Sequence, residues 1–432
     1  MRATTLRVAT YGYFGMGNVG NEGSLAAFLA YMRDAHPEAA VSCFAADAQA
    51  VSRDHGVPAT RLMAYRPAPG SNGLRVRVTK AASRLWDVPR TFRMMRDVDV
   101  LVVPGTGVLE TQLVATPWGL PLWLFLAALS CRLRGRSVVL VSVGAEEAAH
   151  PVTRRLYRWT VRLSHYCSYR DEGSRLAVRA MGVTGELGEV FPDLAFSLAT
   201  PSGSSERPGH VVIGVMAYSG PPDDPERGPA RVRTYVEHMA QLVTRLVDDG
   251  RTVTMVIGDL ADLSLAEEIA DRVATVRPGT AGTRVSVSKA DSLDGIMTEM
   301  GEAEVVVASR FHNVICALKM RRPTVSLGYA GKNARLLDEF GLGGFTQPLE
   351  SFDVDELVSQ MAEVRRRQPA AEPVMESALH RFGQGLEDQF RRLSAEFFVS
   401  DPRRPSRHER SLASRWPPRG RPRRAGGRRR RP

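Results

Sequence analysis

Ser309-Arg310-Phe311-His312-Asn313 sets an arginine and a histidine two residues apart, where an apolar run, Glu304–Ala308, gives way to a helical pattern over Asn313–Met320. Such a strand-to-helix junction brings free backbone amides and a helix dipole to one sheet edge, an arrangement that attracts anions. Lys332 follows on the next junction, in Gly328-Tyr329-Ala330-Gly331-Lys332, and is one of four lysines, with Lys80, Lys289 and Lys319. Arg310, Lys332, the titratable His312 and Asn313 at the helix start together suit a small substrate that carries phosphate or carboxylate. Two other readings of His312 compete: a hydrogen-bonded structural histidine, or a metal ligand with Cys316 one turn later. Cys316 fits the helix's buried face better, and neither a metal nor a cofactor is expected.

Three more junctions carry candidates. Tyr11-Gly12-Tyr13-Phe14-Gly15-Met16-Gly17-Asn18-Val19-Gly20-Asn21-Glu22-Gly23-Ser24 follows the first strand pattern and opens the first helix. Its glycines allow backbone to approach a ligand or to turn tightly, which makes Gly15, Gly17, Asn18 and Asn21 loop or acceptor-site candidates. Gly15-x-Gly17-x-x-Gly20 lacks a clean acidic residue at the end of the second strand, so a dinucleotide is not favoured. Pro104-Gly105-Thr106-Gly107-Val108-Leu109-Glu110 ends an apolar strand on the same edge and adds Gly105 and Gly107. Arg170 stands at another strand end, in Ser168-Tyr169-Arg170-Asp171.

The elements that must position these residues alternate along the chain. Short aliphatic runs at residues 6–11, 41–44, 98–103, 137–143 and 166–169 are separated by amphipathic stretches, the pattern of a parallel sheet flanked by helices. A second series follows at 210–216, 252–258, 284–288, 304–308 and 324–327. Thr200–Gly209, rich in proline and small polar residues, reads as a linker. The expected organisation is α/β: two doubly wound, Rossmann-like domains facing across a cleft, at 1–199 (acceptor side) and 210–350 (donor side). Helices at 351–400 pack both domains together, and a disordered basic tail occupies 401–432.

Charge supports this division. The net +11 of the 432 residues lies in residues 401–432, where 13 Arg face Asp401 and Glu409; the preceding 400 residues balance 45 basic against 45 acidic groups. A neutral folded body argues against a nucleic-acid-binding core. The tail reads as solvated chain, with an anionic membrane surface as the alternative partner. The four cysteines have no disulfide or zinc spacing, and Met1–Thr5 runs straight into strand pattern without an apolar leader. A cytoplasmic setting, peripheral at most to the membrane's inner face, is expected, and no oligomeric state is assigned.

Taken together, the Gly12–Ser24 loop, Gly105-Thr106-Gly107, Tyr169-Arg170-Asp171-x-x-Ser174, Asp193-Leu194-Ala195-Phe196, Ser309-Arg310-Phe311-His312 and Gly331-Lys332 resemble the polysaccharide pyruvyl transferase family over most of residues 8–345. The resemblance implies a fold similar to B-type glycosyltransferases and transfer of a pyruvyl group from phosphoenolpyruvate onto two hydroxyls of a sugar, giving a ketal. By this resemblance Arg310 and His312 match the family's donor-binding Arg-x-His and Arg170 its other donor-binding arginine; Lys332 and Asn313 are expected to complete the donor site, His312 to donate a proton, and Asp193 is an acceptor or loop candidate. Phe311 stands where leucine is frequent, Glu110 replaces a common aspartate, Leu194 follows Asp193 in place of proline, and Gly144-Ala145-Glu146 lacks the usual glycine-proline turn. A nucleotide-sugar-dependent glycosyltransferase and a non-catalytic sugar-binding relative are the alternatives.

Overall fold

In the computed structural model, residues 5–64, 74–110, 116–185, 187–220, 224–328 and 331–399 are described. The expected tail, and Tyr329 and Ala330 of the lysine junction, lie outside them. The first half runs β1 (Arg7–Tyr11), α1 (Val19–Ala35), β2 (Ala40–Ala45), α2 (Ala48–His55), β3 (Ala59–Arg61), α3 (Leu74–Met94), β4 (Val100–Pro104), α4 (Leu120–Leu133), β5 (Ser137–Val143), α5 (Pro151–Leu163), β6 (Tyr166–Tyr169) and α6 (Glu172–Ala180). The second half runs β7 (His210–Val215), α7 (Gly228–Asp248), β8 (Thr252–Ile257), α8 (Leu263–Val276), β9 (Val285–Val287), α9 (Leu293–Gly301), β10 (Val305–Ala308), α10 (Phe311–Lys319), β11 (Thr324–Gly328), α11 (Lys332–Glu339), β12 (Thr346–Pro348) and α12 (Val354–Phe397).

Each half is a six-stranded parallel sheet. The orders β3-β2-β1-β4-β5-β6 and β12-β11-β10-β7-β8-β9 are the same doubly wound pattern used twice. In each, the order reverses between two neighbouring strands, β1 and β4 or β7 and β10, and the loops leaving their C-terminal ends border a crevice. Residue alternation explains why both sheet faces are covered: Val8, Val100, Val102, Val139 and Val141 enter one buried cluster, while Ala9, Leu101, Val103, Val138 and Leu140 enter another.

The first of those clusters continues into the second half and along α12. Phe382 of α12 packs edge-on against Phe196 at 4.8 Å and Phe340 at 5.4 Å. Seven residues later Gln389 accepts from Ser142 Oγ at 3.1 Å and donates to Ser168 Oγ at 2.8 Å, reaching the first sheet. One helix therefore touches both sheets, although Pro369 and Pro373 interrupt its backbone donors.

The α/β alternation matches the sequence pattern closely. Left out of that expectation were β3 and β12, three-residue edge strands too short to show a period, and α2, α3 and α11. α3 escapes because Pro89 and regularly spaced arginines break up its apolar stripe. α10 begins at Phe311, two residues before the sequence estimate, so His312 lies in its first turn.

Candidate active site

β6 ends at Tyr169 and delivers Arg170 into the crevice, where Asp171 caps α6 by accepting from Ser174 N at 2.7 Å. The Arg170 side chain is 3% exposed, with one terminal nitrogen on Glu110 Oε1 and the other 3.3 Å from Asp193 Oδ2. Its Nε lies 3.9 Å from Asp171 Oδ2, and the guanidinium stands 4.9 Å over the Phe311 ring. Burial alone would favour the neutral arginine; Glu110, Asp193 and Asp171 reverse this and raise its pKa above the ordinary value.

The carboxylates respond in kind. Burial pushes Glu110 toward its protonated form, but Lys332, Arg170 and His312 together hold its pKa below the usual range. Asp193 is likewise desolvated, yet His312, Arg170 and the Ala195 amide at 3.0 Å hold it well below that range. Both stay ionised in a dry site because cations surround them.

His312 comes from the other half. Its Nε2 lies 3.5 Å from the same Asp193 Oδ2 that Arg170 contacts. Lys332, opening α11, also crosses the crevice to put Nζ 3.7 Å from Glu110 Oε1 and 5.7 Å from the Phe311 ring. The result is a compact group of Arg170, His312 and Lys332 with Glu110 and Asp193. Two glycines make room for it. A Cβ on Gly107 would stand 2.5 Å from Glu110 Oε2, and one on Gly144 would meet Glu110 Oε1 at 2.5 Å and Arg170 Nε at 2.7 Å.

Arg310 turns its guanidinium to a carboxylate of its own half. Its Nε and terminal nitrogen engage the wholly buried carboxylate of Asp262 at 2.5 and 2.6 Å. Asp262 also accepts from the amides of Ala217 at 2.8 Å, Asp259 at 3.1 Å and Gly258 at 3.3 Å, so it ties three amides of two loops to one arginine fork. Asn313 is wholly buried, with its carboxamide over Gly214 and Gly258 at the ends of β7 and β8. Neither its nitrogen nor its oxygen has a partner among the described residues, and an orphaned amide beside a crevice is a mark of a ligand site. Cys316 is buried, with its Sγ toward Leu293 O.

The glycine-rich loop fastens the halves together. Val19 N donates to Gly258 O and Leu260 N to Gly17 O, both at 3.0 Å, while Asn18 Nδ2 donates to Asp259 Oδ2 at 2.8 Å. Asn18 Oδ1 also caps α1 by accepting from Asn21 N at 3.0 Å. Gly17, with φ of 78°, lies against Leu260, and Gly15 donates to Glu22 at 2.6 Å. Gly105 turns back on Ser24. Gly15, Gly17, Asn18 and Asn21 therefore form a clasp beside the site, and Gly105 and Gly107 shape the Glu110 loop.

Three contributors went unrecognised as site residues in the sequence. Glu110 was visible only as a departure from a family pattern, although an acid just past a glycine turn at a strand end is a usable signal. Phe311 offers a ring to both Arg170 and Lys332, and Asp262 lies in a short turn with no local hint of its partner.

The residue pattern has known counterparts. A family model described as polysaccharide pyruvyl transferase matches residues 18–331. No protein with a curated description matches the chain. Among solved structures, the S. aureus MnaA–UDP complex aligns with a TM-score of 0.59 at 10% identity, covering 93% of this chain and 99% of that one. Anabaena HepE in complex with UDP and glucose aligns with a TM-score of 0.52 at 15% identity, covering 89% and 99%. The UDP-GlcNAc 2-epimerase of Neisseria meningitidis bound to UDP-GlcNAc gives 0.55 at 12% identity, covering 90% and 99%. At these identities the likeness is one of fold, the two-sheet architecture of B-type glycosyltransferases and related epimerases. The match over residues 18–331 identifies the lineage: this chain belongs to the polysaccharide pyruvyl transferase family.

Proposed function

We propose that the protein transfers the pyruvyl group of phosphoenolpyruvate onto two hydroxyls of a sugar in a cell-surface polysaccharide or its precursor, forming a ketal in the cytoplasm. One observation carries this reading: Arg170 and His312, from opposite halves, share Asp193 Oδ2 beside Lys332. Two cations and an imidazole in a low-dielectric crevice suit a compact anion whose reaction begins with protonation. Arg170 and Lys332 bind the donor's phosphate and carboxylate, with the Asn313 amide completing the pocket. Residues 210–350 then form the donor side and 1–199 the acceptor side. Arg310 acts on the donor indirectly, by bracing through Asp262 the loops that surround Asn313.

His312, with Asp193 as its counter-charge, delivers a proton from Nε2 to the methylene carbon of the donor. That carbon becomes a methyl group and its neighbour becomes electrophilic. A sugar hydroxyl adds there and passes its proton to the now neutral imidazole. A second hydroxyl then displaces phosphate and closes the ketal ring, its proton leaving with the inorganic phosphate. Incubation with phosphoenolpyruvate and a panel of nitrophenyl and lipid-linked sugars, read by mass spectrometry, tests the reading. A pyruvate ketal with stoichiometric phosphate release is expected. Glycosyl transfer from a nucleotide sugar, with phosphoenolpyruvate inert, overturns it.

A further inference from the structure

The neutral folded body conceals a strong local imbalance. α3, α4 and α5, which pack side by side on one face of the first sheet, carry eight Arg with described side chains against one acid, Asp87, and of these eight Arg154 also pairs with Glu147 in the loop before α5. Asp87 is buried and spent on the Ala64 amide and Arg90. No carboxylate among the described residues pairs with Arg84, Arg93, Arg155 or Arg162. Folding has therefore gathered positive charge on one side of a chain whose first 400 residues balance.

Large apolar side chains stand out among these cations. Trp86 is 64% and Leu85 78% exposed on α3, and Trp159 is 45% exposed on α5. Spacing puts the two chemistries on the same stripes: Arg155, Trp159 and Arg162 occupy successive turns of α5, and Arg93 lies two turns after Trp86. Phe125 of α4 meets the Trp159 ring at 5.5 Å, so the apolar surface continues from α5 onto α4. Arginine flanking exposed indole and leucine is the composition of a surface that lies in the headgroup layer, where indole settles at the boundary and arginine meets lipid phosphate. Exposed leucine argues for a bilayer over a nucleic acid, which would use rings to stack bases. No helix among the described residues is long and apolar enough to span a membrane, so the contact would be peripheral.

We propose that the α3–α5 face is an anionic-lipid-binding surface, independent of the Arg-rich tail. The face is also coupled to the crevice: Tyr157, two residues before Trp159, donates from its hydroxyl to the Glu110 carbonyl at 3.2 Å. The helix that carries Trp159 outward therefore holds the Glu110 loop from its buried side.

Sedimentation of the full chain with vesicles of phosphatidylcholine, with and without phosphatidylglycerol, tests this. Binding to the anionic vesicles, weakened by salt, is expected. Arg93→Ala with Arg155→Ala lowers the partition coefficient by about fivefold per charge removed. Trp86→Ser with Trp159→Ser weakens it separately, and melting curves confirm that both pairs fold, as exposed sites should. Partitioning unchanged by either pair assigns the binding elsewhere, the tail included, and overturns the proposal. Absence of binding to anionic vesicles does the same, as does tighter retention on single-stranded RNA lost in the same variants.

Discussion

The imidazole of His312 rests on the backbone of Gly20: a Cβ at that glycine would stand 2.0 Å from Nδ1 and 2.4 Å from Cε1. The first turn of α1 thereby forms one wall of the imidazole's slot, while Asp193 faces the opposite nitrogen. Glycine is costly inside a helix, so its presence here trades helix propensity for the position of a single ring.

Gly20→Ala should therefore improve local helix propensity and still damage the enzyme. Pushing the ring aside by about 1 Å is expected to lower kcat by roughly 10²-fold. Steady-state kinetics beside a thermal melt will separate the two effects. An alanine variant with normal kcat would show that the slot is not a constraint on turnover.

His312→Gln keeps a polar side chain of similar reach but cannot deliver a proton. We expect kcat to fall by about 10² to 10⁴ with donor affinity largely kept. Phosphoenolpyruvate binding by calorimetry, compared with turnover, checks the division.

Arg310→Ala leaves the buried Asp262 carboxylate without its cation. The expected loss is about 3–5 kcal/mol of stability, and Asp262→Asn in the same chain should restore part of it. Chemical denaturation of the single and double variants measures this. An effect confined to the donor Michaelis constant, with stability intact, would return Arg310 to direct donor contact.

Glu110→Gln removes one negative charge from between Arg170 and Lys332. The free protein should lose stability, because two buried cations become undercompensated, and phosphoenolpyruvate should then raise the melting temperature more than in the parent. Equal shifts in both proteins would show that Glu110 does not stand next to the donor.

Acid should loosen the site in a defined direction. The folded-state pKa of Asp193 is depressed, so its contribution to stability is fully present above the ordinary carboxylate value near 4 and is lost as pH falls below it. Melting temperatures taken from pH 6 downward should decline less steeply in Asp193→Asn than in the parent, since the variant has no such contribution to lose.

Local patterning determined the two series of strands and helices, because alternation and helical period are properties of neighbouring residues. The same locality made Arg170, His312 and Lys332 readable as strand-end and helix-start residues, since a parallel sheet sends all such junctions to one edge. Partner choice was decided by tertiary structure. Arg310 is two residues from His312, yet its fork turns to Asp262, 48 residues away; Arg170 finds Glu110 at a separation of 60, and Asn18 finds Asp259 at 241. Nor could composition reveal that three helices of a neutral body share one basic face. Ion pairing and surface charge depend on which elements lie within a few ångströms after folding, and that distance has no local signature in the chain.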